Sequence, residues 1–255
     1  MTKKGMITVP TVRELFHNTS QIKIAHRGAS ANYPENTLPS FQGAIELGAQ
    51  MIELDVHLTL DEELVIIHDA TLDRTTDHTG EVAMLPWHTM AKADAGSWRG
   101  ESFRHTPLPR LQDVLAWLPN DIMLNLELKG TPHTAARLAA HTLNALNQFH
   151  CEERVLLSSF NHELLATLRK LHSNIALGAI FYGRLWPPLA LAKELDLFSL
   201  HAHVASIDDA WVQFVRSQNY EVIAWTLTTQ KHVQVCKESG VKAFVVDDLS
   251  LLSVS

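Results

Sequence analysis

The chain has 255 residues, 46% of them hydrophobic, and a formal net charge of -7 at pH 7. That length can bury a sizeable core, is near the size of one (β/α)8 barrel, and is too short for two large domains. The acidic balance argues against a broad nucleic-acid footprint, which needs a basic surface, but it allows a small phosphate ligand held by local positive charge.

The first residues carry positive charge with no apolar stretch behind them, so no signal peptide is expected. Residues 12–17 can form a short helix covering one side of the fold. Apolar, strand-like runs then recur at 22–25, 51–58, 122–128, 154–159, 175–181, 197–200, 220–226 and 243–246. Stretches of helical spacing separate them, so the pattern predicts βαβ units and a parallel sheet. Asn36-Thr37 opens one helix that runs to Gly48, and Thr131-Pro132 opens a long one. Asn161, Ser206 and Thr228-Thr229 can open three more. A further run at 64–67 and a mixed segment after it break the simple alternation. Residues 69–107 are too long for a bare loop and read as a small inserted subdomain. The chain ends soon after the eighth strand, which leaves little room for an eighth outer helix.

The longest apolar run, near residues 175–183, is too short to span a bilayer. Cys151 and Cys236 lie far apart and show no metal-ligand spacing, which suits a reducing compartment. The expectation is a soluble, cytoplasmic protein without stable membrane insertion.

Chemistry concentrates at the ends of the early strands. His26 and Arg27 end the first, where barrel enzymes place their active sites, and the Arg fork suits a phosphate. Gly28 would let backbone approach a ligand closely. Glu53 and Asp55 are two residues apart, so both face one side of their strand while Leu54 faces the other. Two carboxylates on one inner face repel unless something positive lies between them, and oxygen ligands favour Mg²⁺, Ca²⁺ or Mn²⁺. Asn125, Glu127 and Lys129 repeat the pattern, with Glu127 a third oxygen ligand and Lys129 a point charge for phosphate. If the run ending at His68 pairs beside the second strand, His68 faces the same pocket as His26, and two histidines provide a base and an acid. His201 and His203 read as structural, although their strand-end position would admit one to the pocket.

His26-Arg27-Gly28, five residues and then Pro34-Glu35-Asn36-Thr37, followed by Glu53–Val56, Val65–Asp69 and Asn125–Lys129, resemble the glycerophosphodiester phosphodiesterases. The likeness extends to Ser159-Phe160, Trp225-Thr226 and Asp247 and covers nearly all of residues 22–248. It implies a TIM barrel with a small insertion after the second strand, formed by residues 1–255 as one domain. It also implies Glu53, Asp55 and Glu127 as ligands of one divalent cation, Mg²⁺, Ca²⁺ or Mn²⁺, and His26 and His68 as general base and acid. Arg27 and Lys129 would bind phosphate, Trp225 and Phe160 would wall the glycerol, and Glu35 and Asn36 would organise the loop and cap the helix. The last strand departs from the family pattern in Ala243–Val246, which touches only the shape of that rim.

The expected activity is hydrolysis of small glycerophosphodiesters to glycerol 3-phosphate and an alcohol. Two rivals stand beside it: a lysophospholipase D acting on lysophospholipids, and a non-catalytic protein that binds a phosphorylated ligand. Trp87, Trp98 and Phe103 in the insertion would either close its own minicore or form a lid over the alcohol.

Overall fold

The structure is a computed structural model that describes residues 9–131, 133–185 and 189–253. The start of the chain at residues 1–8 and the first-turn position expected for Pro132 lie outside the described residues. In chain order the elements are α1 (Val12–Asn18), β1 (Ile22–His26), α2 (Leu38–Glu46), β2 (Met51–Leu58), β3 (Leu64–Ile66), α3 (Trp87–Met90) and α4 (Leu111–Trp117). Then follow β4 (Met123–Leu128), α5 (Ala135–Gln148), β5 (Val155–Ser159), α6 (His162–Leu171), β6 (Ala176–Phe181) and α7 (Ala190–Glu194). The last are β7 (Ser199–His203), α8 (Asp209–Ser217), β8 (Glu221–Leu227), α9 (Gln230–Glu238) and β9 (Ala243–Val246).

Every strand but β3 pairs in parallel with its neighbours, and β1 pairs with both β9 and β2, so eight strands close into a TIM barrel. Helices flank the strands, and a 3₁₀ turn at Leu249–Leu252 stands in the eighth outer position. Their apolar faces pack on the outward residues of the strands, among them Ile52, Leu54, Leu124, Leu157, Leu177 and Val222. The inward residues at the strand starts form a second cluster of Ile22, Ile24, Met51, Met123, Leu156, Ile223 and Val245.

Val12 and Phe16 of α1 belong to that inner cluster, with Phe16 edge-on to Phe198 at 5.0 Å. The N-terminal helix therefore plugs the bottom of the barrel and does not fill the missing outer position, which corrects the expectation for residues 12–17. Its start is held by a capping box in which the Thr11 side chain accepts from Glu14 N and Thr11 N donates to Glu14 Oε2.

The start expected at Asn36-Thr37 holds, with Thr37 and not Asn36 as the cap of α2, whose chain leaves through Gly48 at φ 80°. Two other expected starts shift. Asp208 caps α8, because Ser206 is taken up in a preceding 3₁₀ turn, and α5 opens at Thr134. Asn161 and Thr229 cap α6 and α9 as expected.

β3 runs antiparallel beside β2 and stays outside the barrel. The segment after it folds over a small cluster of Val65, Ile67, Leu72, Val82, Met90, Ala95 and Leu108.

Candidate active site

The site lies at the C-terminal ends of the parallel strands, where the inward positions of β1, β2 and β4 leave the apolar layer and turn polar. Register places His26 beside Glu53, Glu53 beside Asn125, and Asp55 beside Glu127. The period of two that aims Ile24 and Met51 inward thus aims these side chains into the barrel mouth.

After β1 the backbone turns sharply, with Arg27 at φ 56° and Gly28 at φ 83°. A Cβ on Gly28 would stand 2.1 Å from Ser40 Oγ, so the turn needs glycine for space as well as for conformation. Ser40 Oγ donates to Arg27 O at 2.7 Å, and Arg27 N donates to Glu53 Oε2 at 2.9 Å. The Arg27 side chain reaches Glu35 Oε1 at 2.8 Å, while its Nε is buried 3.4 Å from Asp55 Oδ2 without a hydrogen bond.

Glu53, Asp55 and Glu127 are all shielded from solvent and offer three oxygens within 4.8 Å of one another. Asn36 orients Asp55, donating from Nδ2 to Oδ2 at 2.8 Å. Asp55 Oδ1 faces Lys129 Nζ at 2.9 Å, and Lys129 also pairs with Glu127. Among the described residues, Glu53 Oε1 is buried with no hydrogen-bond partner. Burial and the charge of Asp55 push the Glu53 carboxyl well above the usual carboxylate range, and the same two causes raise Glu127. Burial opposes ionisation of Asp55 too, but Lys129 and Arg27 outweigh it and hold that carboxyl low. Three carboxylates therefore share a site whose own cations satisfy only part of their charge. An orphaned oxygen and an all-oxygen donor set fit a hard divalent cation.

The two histidines flank this cluster. His26 Nδ1 lies 2.6 Å from Asp247 Oδ1, and the Ser30 hydroxyl lies within donating distance of His26 O at 2.8 Å and of Asp247 Oδ1 at 3.2 Å. His68 Nδ1 lies 2.7 Å from Asp69 Oδ1, and its backbone oxygen meets His57 Nε2 at 3.1 Å. With Nδ1 of each ring held by a carboxylate, Nε2 is the nitrogen left for chemistry. For His26 burial works against protonation, but Asp247 and Glu53 raise its pKa above the ordinary value. His68 is lowered, by burial above all, despite the charge of Asp55.

Both rings line a cavity of about 870 Å³, together with Arg27, Glu53, Glu127 and Lys129. Its far wall is aromatic. Trp225 meets Phe160 at 5.5 Å, Tyr182 at 4.9 Å and His203 at 5.1 Å between ring centroids. Trp225 Nε1 donates to His201 O at 2.9 Å, which pins the indole. Val204, Ala205, Ile207 and Val235 also line the cavity, together with Thr228, Lys231 and His232.

All nine residues expected at the site, His26, Arg27, Glu53, Asp55, His68, Glu127, Lys129, Phe160 and Trp225, are brought to this one end of the barrel. Trp87, Trp98 and Phe103 are not: none of them lines the cavity. Of the two alternatives, packing away from the cavity holds: Trp87 packs on the insertion's small cluster beneath the Arg110 guanidinium, Trp98 donates to Ala95 O, and Phe103 meets Tyr33. Sequence reasoning missed the hold of Asp247 on His26, the network through Arg74, and Tyr182. His201 and His203, both read as structural, also line the cavity. Tyr182 follows the β6 run directly, and that position was its only signal.

The family model of the Glycerophosphoryl diester phosphodiesterase family matches residues 26–251. A glycerophosphodiester phosphodiesterase of Caldanaerobacter subterraneus is 34% identical over 226 residues, which are 88% of this chain and 93% of that protein. One from Bacillus subtilis is 34% identical over 240 residues, 86% of this chain and 81% of that protein. Among solved structures, an Oleispira antarctica phosphodiesterase in complex with the product sn-glycerol-3-phosphate superposes with a TM-score of 0.88 at 30% identity, covering 93% of this chain and 97% of that one.

Proposed function

The chain belongs to the glycerophosphoryl diester phosphodiesterase family, and on that premise we propose that it hydrolyses glycerophosphodiesters to glycerol 3-phosphate and an alcohol, with His26 as general base and His68 as general acid. Glycerophosphocholine and glycerophosphoethanolamine are the model substrates of this reading. The family sets aside the rival of a non-catalytic binding protein. One observation carries the mechanism: three buried carboxylates, one with an unpartnered oxygen, sit between two histidines that each keep Nε2 free.

Glu53, Asp55 and Glu127 would hold a single Mg²⁺, Ca²⁺ or Mn²⁺, which offsets negative charge on the scissile phosphate and on Glu53 itself. Arg27 and Lys129 grip the remaining phosphate oxygens. His26, its ring oriented by Asp247 at Nδ1, takes the proton of the attacking oxygen at Nε2. That oxygen belongs either to water or to a glycerol hydroxyl of the substrate, which would give a transient cyclic phosphate. The phosphate anion stabilises the protonated ring of His68, which passes its proton to the leaving alcohol oxygen. Trp225 and Phe160 cover the glycerol.

The direct check is release of glycerol 3-phosphate from glycerophosphocholine by His26→Ala and His68→Ala. Each substitution lowers kcat by about 10²–10⁴-fold, the usual worth of a positioned acid or base. Near-wild-type turnover by either variant would remove the role given to that histidine.

A second reading starts from Val204, Ala205, Ile207 and Val235, which give the cavity apolar lining beside the polar Thr228, Lys231 and His232. A single acyl chain on the glycerol would lie there, making lysophospholipids substrates. Turnover of lysophosphatidylcholine with kcat/KM near that of glycerophosphocholine supports this reading, and its absence confines the enzyme to deacylated diesters.

A further inference from the structure

Arg74 belongs to the insertion, 39 residues away from Glu35 in sequence, and is 44% exposed at its side chain. It does not line the cavity, and neither do its partners. Its Nε and Nη2 donate to the two oxygens of Asp69 at 2.7 and 2.9 Å. Its Nη1 and Nη2 donate to the two oxygens of Glu35 at 2.9 and 2.8 Å. Asp69 in turn holds His68 Nδ1 at 2.7 Å, and Glu35 holds Arg27 Nη1 at 2.8 Å. One planar fork thus engages two carboxylates, each by two hydrogen bonds, a geometry that an ammonium cannot supply.

The result is a continuous path from Arg27 through Glu35, Arg74 and Asp69 to His68. It links a phosphate-gripping side chain to the ring at the leaving-group oxygen. We propose that Arg74 is a positioning residue for His68: it fixes the Asp69 carboxylate that orients the ring and shares its negative charge, so that His68 yields its proton to the leaving alcohol. This rests on the reading of His68 as general acid.

A carboxylate alone behind an imidazolium stabilises the protonated ring and holds the proton back. A carboxylate already bonded twice to a guanidinium keeps its directional hold on Nδ1 while its charge is largely spent elsewhere. Glu35 divides its charge in the same way between Arg27 and Arg74, so Arg27 keeps donors for phosphate.

Leaving groups separate positioning of an acid from a merely structural role. An ester of glycerol phosphate with nitrophenol departs without protonation, whereas one with ethanol requires it. Arg74→Ala is expected to lower kcat on the ethyl ester by about tenfold or more and on the nitrophenyl ester by less than about threefold, in the same sense as His68→Ala. Arg74→Lys restores little of the loss, and Asp69→Asn, which keeps the shape of the carboxylate, shows the same selectivity and serves if Arg74→Ala does not fold. Equal losses on both esters, or none, in Arg74→Ala and Asp69→Asn while His68→Ala is selective would overturn the role of Arg74 alone. Equal losses on both esters in His68→Ala would overturn the acid assignment, and this inference with it.

Discussion

Glu53 and Asp55 are neighbours on one strand face, yet their surroundings differ: Asp55 pairs with Lys129 and Arg27 and accepts from Asn36, whereas among the described residues Glu53 accepts only from Arg27 N. The same contrast separates the histidines deeper in the mouth. His201 is fully enclosed, with Nε2 2.9 Å from Ser199 Oγ and no charged partner, and burial lowers its pKa to about 3. An unfolded chain protonates this ring near 6.5 while the folded one does not, so between those values folding releases a proton and stability falls as pH falls. The contribution is whole above the unfolded pKa and is lost on acidification toward the folded one. Between pH 7 and pH 5, wild type should lose about 2 kcal/mol more unfolding free energy than His201→Gln, read from urea midpoints. Parallel losses would show that the buried ring is protonated in the folded state. Trp225, pinned by His201 O, is expected to matter for every glycerol-containing substrate alike: Trp225→Ala lowers kcat/KM by about tenfold on glycerophosphocholine and glycerophosphoethanolamine together. A loss confined to one headgroup would move the indole to the alcohol end. Glu53, Asp55, Glu127 and Lys129 were legible beforehand because a strand's period of two fixes which side chains share a face. Arg74 and Asp247 were not, because the loops carrying them meet their partners only after the barrel has closed.

The elements show what local patterns carry and where packing overrides them. The strand runs were readable because each is apolar and bounded by caps or turns. Helix α1 was readable as a helix, but its place was not, since an amphipathic turn of Val12 and Phe16 fits an outer groove or a barrel end equally well. Fully buried Phe16 fills that end against Phe198, far from the site. Phe16→Ala should cost about 3–5 kcal/mol of stability while kcat on glycerophosphocholine stays at the wild-type value. A loss below about 1 kcal/mol in a denaturant titration would show that α1 does not act as a plug. Gly178 of β6 faces inward, where an added Cβ would stand 2.2 Å from His201 Nε2 and 2.8 Å from Ser199 Oγ. That glycine makes room for a histidine on the next strand, a relation across strands that no local window contains. The insertion was visible by its length alone, and its aromatic residues left minicore and lid open because composition does not reveal direction.

For the whole molecule, a closed parallel barrel gathers the ends of strands far apart in sequence into one mouth, and here that mouth brings Glu53, Asp55, Glu127, His26, His68, Arg27 and Lys129 together. The net charge of -7 does not oppose an anionic substrate, because the cations that meet it are concentrated at the site. Among the described residues no helix is long and apolar enough to cross a membrane. The central claim is that the carboxylate cluster works by holding a divalent cation. Its most direct test is turnover of glycerophosphocholine by protein stripped with a chelator and verified metal-free by elemental analysis. The account predicts loss of activity on stripping and its return with Mg²⁺, Ca²⁺ or Mn²⁺, and undiminished turnover by the metal-free protein would contradict it.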